Sequence, residues 1–271
     1  MEQRKIKNKG KRALITGGSS GIGFEFARQL ADSGCNLIIV SQDSQRLSES
    51  ADRLRAEFAV EVEAINVDLS DRDGVSRLVK VIESRQIDFM INNAGFALHD
   101  SLLDANTNKQ ELAFAVMAEA VLKLSGAAAR AMKSRGSGRI INVGSSSSWL
   151  FAGNYSALKR WVLVYTESLN LELRRTGVSA TAVCPGWVKT NFHENGGVSR
   201  PDLPNWVWIP VATVVKSALR AAEKGKSYVV PTIRWKAMIF AVKHSELIAR
   251  AFSRKLVVKR VKELEQKSVG K

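Results

Sequence analysis

The chain contains 271 residues, and 45% of them are hydrophobic, which suits a globular protein with a sizeable core. Its two cysteines, Cys35 and Cys184, show no CxxC spacing, which argues against a disulfide framework and favours a reducing, cytoplasmic compartment. The basic start lacks the apolar stretch of a signal peptide. No uninterrupted apolar run reaches the roughly 18 residues of a membrane-spanning helix.

The net charge of +15 lies mainly at the two ends of the chain. Residues 1–12 carry +5 and residues 234–271 carry +8, so the body between them carries only +2. The basic ends contain no recognisable nucleic-acid-binding motif, and nucleic acid is therefore not expected as a partner. The three histidines have no metal-ligand spacing, so no metal site is expected.

Short apolar runs alternate with helix-length amphipathic segments along the body of the chain. The runs that predict strands cover residues 12–16, 36–40, 62–67, 87–92, 139–144, 178–183 and 227–230. The segments that predict helices include residues 24–34, 48–58 and 155–177. This alternation predicts one α/β domain over residues 12–233, in which helices cover both faces of a parallel sheet.

The segment "TGGSSGIG", Thr16–Gly23, stands between the first strand and a helix. Its glycines at positions 17, 21 and 23 would let the backbone turn tightly and approach a pyrophosphate at the positive end of that helix. A glycine-rich turn without a ligand is the alternative interpretation. The place of the segment after the first strand of an α/β chain favours a nucleotide site.

Two further polar segments follow predicted strands, where an open α/β sheet binds its ligands. Asp68 could accept a hydrogen bond from an adenine amino group, or this segment could cap the next helix through Ser70 or Asp71. In "NNAG", Asn92–Gly95, the amides could pin neighbouring strand ends, and Gly95 would permit close approach to a ribose. A plain turn is the alternative for this second segment.

The segment "GSSSSWLFAGNYSALK", residues 144–159, places Tyr155 and Lys159 four residues apart, on one face of a helix. A free tyrosine has a pKa of about 10, and a nearby ammonium group would lower that pKa toward neutral pH. A serine hydroxyl opposite could hold a carbonyl oxygen of a substrate. The alternative is a pair of residues on a solvated helix.

Together, the Thr16–Gly23 turn, Asp68, Asn92–Gly95, Tyr155 with Lys159, and Pro185–Gly186 resemble the short-chain dehydrogenase/reductase family over roughly residues 11–230. The resemblance implies a Rossmann-type doubly wound fold with about seven strands, a nicotinamide cofactor, and hydride transfer between nicotinamide C4 and a carbonyl or alcohol carbon. It implies that Tyr155 is the acid/base, that Lys159 binds the ribose and lowers the tyrosine pKa, and that a serine polarises the substrate oxygen.

The same resemblance implies a set of cofactor-binding positions at the carboxyl ends of the strands. They are Gly17, Ser19, Ser20, Gly21, Ile22, Gly23, Ser41, Arg46, Asp68, Leu69, Asn93, Ala94, Gly95, Tyr155, Lys159, Pro185, Gly186, Val188 and Thr190. Val188 and Thr190 would contact the nicotinamide carboxamide.

The chain departs from the family pattern at two places. Ser145 closes the fifth strand, as the family's catalytic serine does, but it stands only ten residues before Tyr155. We interpret this as a shortened loop and assign Ser145, with Ser146 and Ser147 as alternatives. Met117 stands where the family often has an asparagine that supports a water relay, and a methionine side chain cannot carry a proton. Either a backbone carbonyl holds the relay water in place of the asparagine, or protons are exchanged by another route, or the activity is low.

Cofactor preference depends on the end of the second strand. NAD-preferring relatives tend to have an acidic residue there, whereas this chain has Ser41 followed by Gln42, with Asp43 at an expected helix start. The basic residue usual in NADP-preferring relatives is replaced by Ser20 and Gln42. Because Ser41 and Arg46 could bind a 2′-phosphate and no acidic residue repels it, NADP(H) is favoured over NAD(H).

Two segments outside the motifs bear on the substrate and on partners. The family has a substrate loop here over about residues 191–210, and Trp206 and Trp208 would suit closure over an apolar substrate or packing on the core. The basic extension 234–271 carries a helical apolar stripe made of Trp235, Met238, Val242, Ala249, Phe252 and Leu256. The stripe would pack on the body or a partner subunit, or lie on an anionic membrane.

The sequence therefore predicts an NAD(P)-dependent carbonyl reductase or alcohol dehydrogenase, with a basic tail over residues 1–11 and a small-molecule, apolar substrate. A homo-oligomer, either a dimer or a tetramer, is expected. The alternative is a catalytically weak dinucleotide-binding protein that acts through its basic termini. An epimerase of the wider superfamily is disfavoured because the chain has little C-terminal substrate domain.

Overall fold

The computed structural model describes residues 7–190 and 204–269. Its centre is a seven-stranded parallel sheet with the order β3-β2-β1-β4-β5-β6-β7. The strands are β1 Arg12–Thr16, β2 Asn36–Ser41, β3 Val62–Asn66, β4 Phe89–Asn92, β5 Gly138–Val143, β6 Val178–Val183 and β7 Tyr228–Val229. The predicted doubly wound α/β fold is thus confirmed, with a shorter seventh strand than residues 227–230.

Helices connect the strands and cover both faces of the sheet. They are α1 Gly21–Asp32, α2 Ser44–Glu57, α3 Arg72–Ser84, α4 Asn108–Phe114, α5 Ala120–Arg135, α6 Asn154–Glu172, α7 Val211–Glu223, α8 Ile233–His244 and α9 Glu246–Val269. A π-helical turn, Ala115–Glu119, joins α4 to α5. The predicted helix over 155–177 was too long, because the backbone turns away after Glu172 with positive φ angles at Arg175 and Gly177.

Adjacent rows of side chains across the sheet point to opposite faces, and both rows are apolar. Ile39, Ile15, Ile91 and Ile141 lie side by side in one core, whereas Ile38, Leu14, Met90 and Ile140 lie side by side in the other. All eight are fully buried. This explains why the central strands are continuous apolar runs without polar alternation.

The strand order reverses direction between β1 and β4, which are direct neighbours. In a doubly wound sheet a crevice forms at this point, outside the carboxyl ends of the strands. The glycine turn after β1 and the NNAG segment after β4 therefore lie beside each other, with the loops after β5 and β6 on one side.

One run of the described residues, Asn108–Arg135, is long and apolar enough to cross a membrane by length and composition alone. The structure places 61% of its most apolar window inside the protein. Leu124, Ala127 and Ala128 on α5 are fully buried in one of the two cores, where α5 packs beside α3. The run is accordingly a core helix of the α/β domain.

The predicted apolar stripe of the C-terminal segment divides into a buried and an exposed part. Trp235, Val242 and Ala249 are buried in the main core, and Met238 packs against it. Phe252 and Leu256 are 45% and 36% exposed. Most of the stripe thus packs on the body, as the first of its two interpretations expects, and Trp235 is not available to a membrane.

Candidate active site

The glycine turn after β1 is held in place by the polar groups that follow β4. The Asn93 side-chain amide donates to the carbonyl oxygens of Thr16 and Gly17, each at 3.1 Å. The Thr16 hydroxyl accepts from the backbone N–H groups of Asn93 and Ala94 at 3.0 and 3.2 Å. These bonds fix the turn against the neighbouring strand end.

The glycines of this turn meet two different requirements. Gly17 and Gly21 have positive φ angles of 62° and 55°, which favour glycine. A Cβ at residue 23 would lie only 2.1 Å from the Gly17 carbonyl oxygen, so α1 can approach the turn only with a glycine there. The Ser20 side chain caps no backbone N–H of the described α1, so the positive end of that helix faces the crevice without a side-chain cap.

The backbone of this turn has the shape and the electrostatics that a dinucleotide requires. A pyrophosphate could bind here for three reasons: two glycines have positive φ angles, the helix approaches the turn closely, and the helix N-terminus has no side-chain cap. Thr190, after β6, lies over the same helix end, since a Cβ at Gly21 would be 3.4 Å from the Thr190 methyl carbon. The partly buried Ile22 packs against the core beneath it.

The residues at and after the end of β2 include two hydroxyl groups and one cation, Arg46, whose charge is partly neutralised by Asp43. The Ser19 and Ser41 hydroxyls are 3.0 Å apart. Asp43 caps α2 by accepting from the Arg46 N–H at 3.0 Å, as the sequence predicts for a helix start. Its carboxylate also lies 3.6 Å from the exposed Arg46 side chain. Arg46 is therefore paired with an acid beside the position predicted for a 2′-phosphate.

The segment after β3 shows which carboxylate caps the next helix, while the adenine contact of Asp68 stays a prediction. Asp71 caps α3 by accepting from the N–H groups of Asp73 and Gly74 at 3.0 and 2.9 Å. Asp68 is exposed and accepts from both the N–H and the hydroxyl of Ser70 at 2.8 Å through one oxygen. Leu69 between them is buried in the core, so only its backbone is placed to meet a cofactor.

Tyr155 and Ser145 meet across the short loop between β5 and α6. Ser145 precedes a 3₁₀ turn, Ser146–Trp149, and its hydroxyl accepts from the Ser147 N–H at 3.1 Å. The Tyr155 hydroxyl shares a hydrogen bond with the Ser145 side chain. The spacing of ten residues thus permits contact, which is the geometry expected for Ser145 rather than Ser146 or Ser147.

Lys159 lies one turn further along α6 and is buried. Its Nζ donates to the Val143 carbonyl at the end of β5 at 2.8 Å and lies 5.7 Å from the centroid of the Tyr155 ring. Burial lowers the pKa of Lys159 from 10.5 to about 8. A Cβ at Gly95 would be 3.8 Å from this Nζ, so the missing side chain at residue 95 keeps the crevice open beside the ammonium group.

The pKa of Tyr155 is raised above its usual value, contrary to the expected lowering by Lys159. Desolvation of the partly buried phenol, which packs against the buried cluster that includes Leu98, Met117 and Leu158, is the dominant cause, and the hydrogen bond with Ser145 opposes it only in part. Lys159 is not among the groups that shift this pKa. Desolvation at this position therefore favours the neutral phenol over the phenolate.

Met117 lies in the π-helical turn and is fully buried. Its sulfur would be 3.0 Å from a Cβ at Gly95, so it packs directly against the backbone that borders Lys159. The site thus has an apolar group where the family often has an asparagine. A π-helical turn interrupts the regular backbone hydrogen bonding at this same place.

Behind the site lie buried polar contacts, of which the sequence predicted the asparagine between strand ends but not the roles of Ser148, Ser125 and Thr166. The Ser148 hydroxyl donates to the Lys159 carbonyl at 2.8 Å and ties the 3₁₀ turn to α6. The Asn92 amide donates to Asn142 at 2.8 Å and to Ser125 at 2.9 Å, which confirms that an asparagine pins neighbouring strand ends. The Asn142 amide in turn donates to Thr166 on α6 at 2.9 Å.

The segment after β6 borders the crevice and also packs against the core and against α8. The Pro185 carbonyl accepts from the Ser146 N–H at 2.8 Å. A Cβ at Gly186 would lie 2.0 Å from the Trp235 ring, so this glycine makes room for α8. Val188 is buried in the main core beside Ile209. Residues 191–203 of the predicted substrate loop lie outside the described residues.

Among the residues that the structure describes, Trp208 and Trp206 behave differently. The Trp208 ring meets that of Trp187 edge-on, with centroids 6.0 Å apart, whereas Trp206 is 61% exposed.

Among all the residues that the structure describes, no group of three or more His, Cys, Asp or Glu side chains is arranged to hold a metal ion. Cys35 and Cys184 are free and buried.

Comparison with known proteins agrees with the fold and identifies the family. A family model described as short chain dehydrogenase matches residues 11–198. The ketoacyl reductase HetN of Nostoc is 30% identical over 224 residues, which are 80% of this chain and 77% of that protein. The chain belongs to the short-chain dehydrogenase/reductase family and is an NAD(P)-dependent oxidoreductase.

Two solved structures illustrate the range of cofactors among similar proteins. A short-chain dehydrogenase from Sphingobium yanoikuyae in complex with NADPH is 30% identical, with a TM-score of 0.78 and coverage of 86% of this chain and 94% of that one. A family member from Burkholderia phymatum in complex with NAD is 24% identical, with a TM-score of 0.75 and coverage of 86% and 93%. The second likeness concerns the fold alone.

Proposed function

We propose that this protein reduces a carbonyl group of an apolar small molecule with NADPH, using Ser145, Tyr155 and Lys159. The observation that carries the proposal is their arrangement: Tyr155 is hydrogen-bonded to Ser145, and Lys159 is buried beside the same ring. The names of the similar ketoacyl reductase and of the NADPH-bound dehydrogenase support the reaction class.

The chemistry follows from the protonation states. When bound, the nicotinamide supplies a hydride to the carbonyl carbon. Tyr155 donates its phenolic proton to the carbonyl oxygen, and the Ser145 hydroxyl holds that oxygen by a hydrogen bond. A tyrosine with its ordinary pKa of about 10 is protonated at neutral pH, so the phenol carries the proton that the reduction requires. Lys159 places a positive charge beside the phenolate that remains.

The carbonyl is expected to accept its hydrogen bond from Ser145 rather than from its neighbours. Replacing Ser145 with alanine should lower kcat/KM by roughly a hundredfold, the usual cost of losing one donor to a developing oxyanion. The matched controls are Ser146→Ala and Ser147→Ala, which should stay within about threefold of wild type. Steady-state kinetics of the three variants on one substrate test this expectation. If Ser147→Ala lowers kcat/KM the most, the assignment of Ser145 is wrong.

The cofactor proposal rests on the end of β2, where the Ser19 and Ser41 hydroxyls are hydrogen-bonded at 3.0 Å and Gln42 stands in place of an acid. The pairing of Arg46 with Asp43 makes this preference moderate. Ser41→Asp would place a carboxylate against a 2′-phosphate and should lower affinity for NADPH by tenfold or more, with little loss for NADH. Ser41→Asn is the uncharged control.

One measurement tests the reaction and the cofactor together. A panel of aliphatic, aromatic and ketoacyl carbonyls, assayed with NADPH and with NADH by nicotinamide absorbance, should show turnover that is faster with NADPH. Cofactor binding without turnover across the panel would instead favour the alternative, a catalytically weak dinucleotide-binding protein. Equal use of both cofactors by the wild type would contradict the preference but not the reaction.

The expected homo-oligomer, a dimer or tetramer, stays a prediction. The outward sides of α5 and α6 support it, because Leu122, Val164 and Leu171 are exposed there beside the stacked rings of Trp161 and Tyr165. A large apolar surface of this kind is more often covered by another chain than left in water.

A further inference from the structure

The C-terminal helices α8 and α9 have apolar residues on two sides, and the body covers only one of them. Trp235, Ile239 and Val242 recur at helical spacing and are buried in the main core. The Trp235 indole also donates to the Val207 carbonyl at 3.2 Å. Phe151 N–H donates to the Ser253 hydroxyl at 2.9 Å, which fixes α9 to the loop before α6. The orientation of both helices is therefore set by these contacts.

The opposite side of α8 carries large apolar side chains in the solvent. Ile233 and Phe240, seven residues apart and hence on one side of the helix, are 82% and 65% exposed. Leu247, in the first turn of α9 beyond the extended residue Ser245, is 80% exposed. Trp206 is held to the start of α8 because Arg234 donates to its carbonyl at 3.2 Å. We call Trp206, Ile233, Phe240 and Leu247 the outer apolar set.

The helices that carry the outer apolar set are also basic, although Lys243 lies over the Tyr228 ring and Arg250 over the Phe151 ring. Residues 233–258 contain six exposed basic residues, which are Arg234, Lys236, Lys243, Arg250, Arg254 and Lys255. The single acidic residue of this stretch, Glu246, is paired with Arg250 at 2.6 Å. A surface with bulky apolar groups among uncompensated positive charges suits a partner that is both apolar and anionic.

We propose that the outer apolar set and the basic residues around it dock on an anionic lipid bilayer. Ile233, Phe240 and Leu247 would enter the boundary between headgroups and acyl chains, and Trp206 would lie at the level of the headgroups. The lysine and arginine stems would lie along the apolar surface, with their charges among the lipid phosphates. The contact is peripheral and does not depend on the proposed reductase chemistry.

The positive charge and the apolar side chains together favour a bilayer over a second copy of the chain or a nucleic acid as the partner of this surface. A two-fold contact between two copies would set six basic residues against the same six, which is repulsive. A nucleic acid would neutralise the cations but offers no apolar layer to receive Ile233, Phe240 and Leu247. A bilayer with anionic headgroups satisfies both features at once.

The test is co-sedimentation of the full-length protein with vesicles of phosphatidylglycerol and phosphatidylcholine. We expect binding at 50 mM salt that weakens at 500 mM and is absent from pure phosphatidylcholine. Phe240→Ser with Leu247→Ser should lower the partition coefficient at least tenfold. The matched control is Leu102→Ser with Leu103→Ser, which are 61% and 94% exposed before α4 and should change nothing.

The charge is tested in the same way. Lys236→Gln with Lys255→Gln should lower the partition coefficient about fivefold per residue, whereas Lys80→Gln with Lys216→Gln, exposed on α3 and α7, should not. Circular dichroism and cofactor titration show that each variant is folded. Failure of the wild type to bind anionic vesicles at low salt overturns the proposal. So does equal loss in the control variants, or self-association through the outer apolar set without vesicle binding.

Discussion

In the Tyr155→Phe variant, turnover of a carbonyl substrate is expected to fall by roughly a thousandfold or more, because only the proton donor is lost. The phenylalanine ring keeps its packing against the buried cluster that includes Leu98, Met117 and Leu158. The glycine turn and the contacts of Asn93 are untouched, so the dissociation constant for NADPH should change by less than about threefold. Single-turnover kinetics and a fluorescence titration of the cofactor measure the two effects separately.

The matched control lies ten residues along the same helix. The Tyr165 hydroxyl donates to the Leu122 carbonyl at 3.3 Å, and its ring stacks on Trp161 with centroids 4.9 Å apart. Tyr165→Phe removes the same atom from α6 without touching Ser145 or Lys159, and it should stay within about twofold of wild type. Turnover by Tyr155→Phe within tenfold of wild type would exclude Tyr155 as the proton donor.

The sheet could be predicted from the sequence because its determinants are local. A strand buried on both faces must be a continuous apolar run, as the paired rows through Leu14 and Ile15 show. The carboxyl ends of parallel strands then bring Thr16, Asn93 and Tyr155 to one edge without further information. The strand-end position of Ser145 predicts contact with Tyr155 despite the unusual spacing, and the two side chains are hydrogen-bonded, while the catalytic role of Ser145 stays a prediction.

The electrostatics of the site could not be predicted in this way, because they depend on distances between elements. The spacing of Tyr155 and Lys159 places both on one helix face, but it does not say how deeply the phenol is buried. Burial raises the pKa of Tyr155, although the sequence alone suggested a lowering. Ser148 gave no signal within a run of four serines, and only the fold shows that its hydroxyl is bonded to the Lys159 carbonyl.

Periodicity was also insufficient for the C-terminal segment. A helical apolar stripe predicts that one side is covered, but α8 has apolar residues on two sides. The ring of Trp235 fits where Gly186 has no side chain, and this contact determines which side faces the body. The side that the stripe did not include, with Ile233 and Phe240, is the one left in the solvent.

Lys159→Met is expected to remove activity and to stabilise the fold at the same time. A buried ammonium whose pKa is lowered from 10.5 to about 8 costs the folded state about 3 kcal/mol at neutral pH. Methionine has a similar length and no charge, so this cost disappears. Loss of the hydrogen bond to the Val143 carbonyl offsets about 1 kcal/mol of the gain. The free energy of unfolding at pH 7 should therefore rise by about 2 kcal/mol.

The pH dependence distinguishes this cause from better packing. The penalty for the charged lysine is fully present below about pH 8, and it disappears as the pH rises toward 10.5, where the unfolded chain also loses the proton. The stability difference between Lys159→Met and wild type should accordingly shrink between pH 7 and pH 10 in urea titrations. Arg160→Met removes an exposed cation from the adjacent position and should show no such trend. A difference that is constant with pH, or a destabilised Lys159→Met, would mean that the ammonium is not held at a cost, and Lys159 would then not be poised to lose its proton near pH 8.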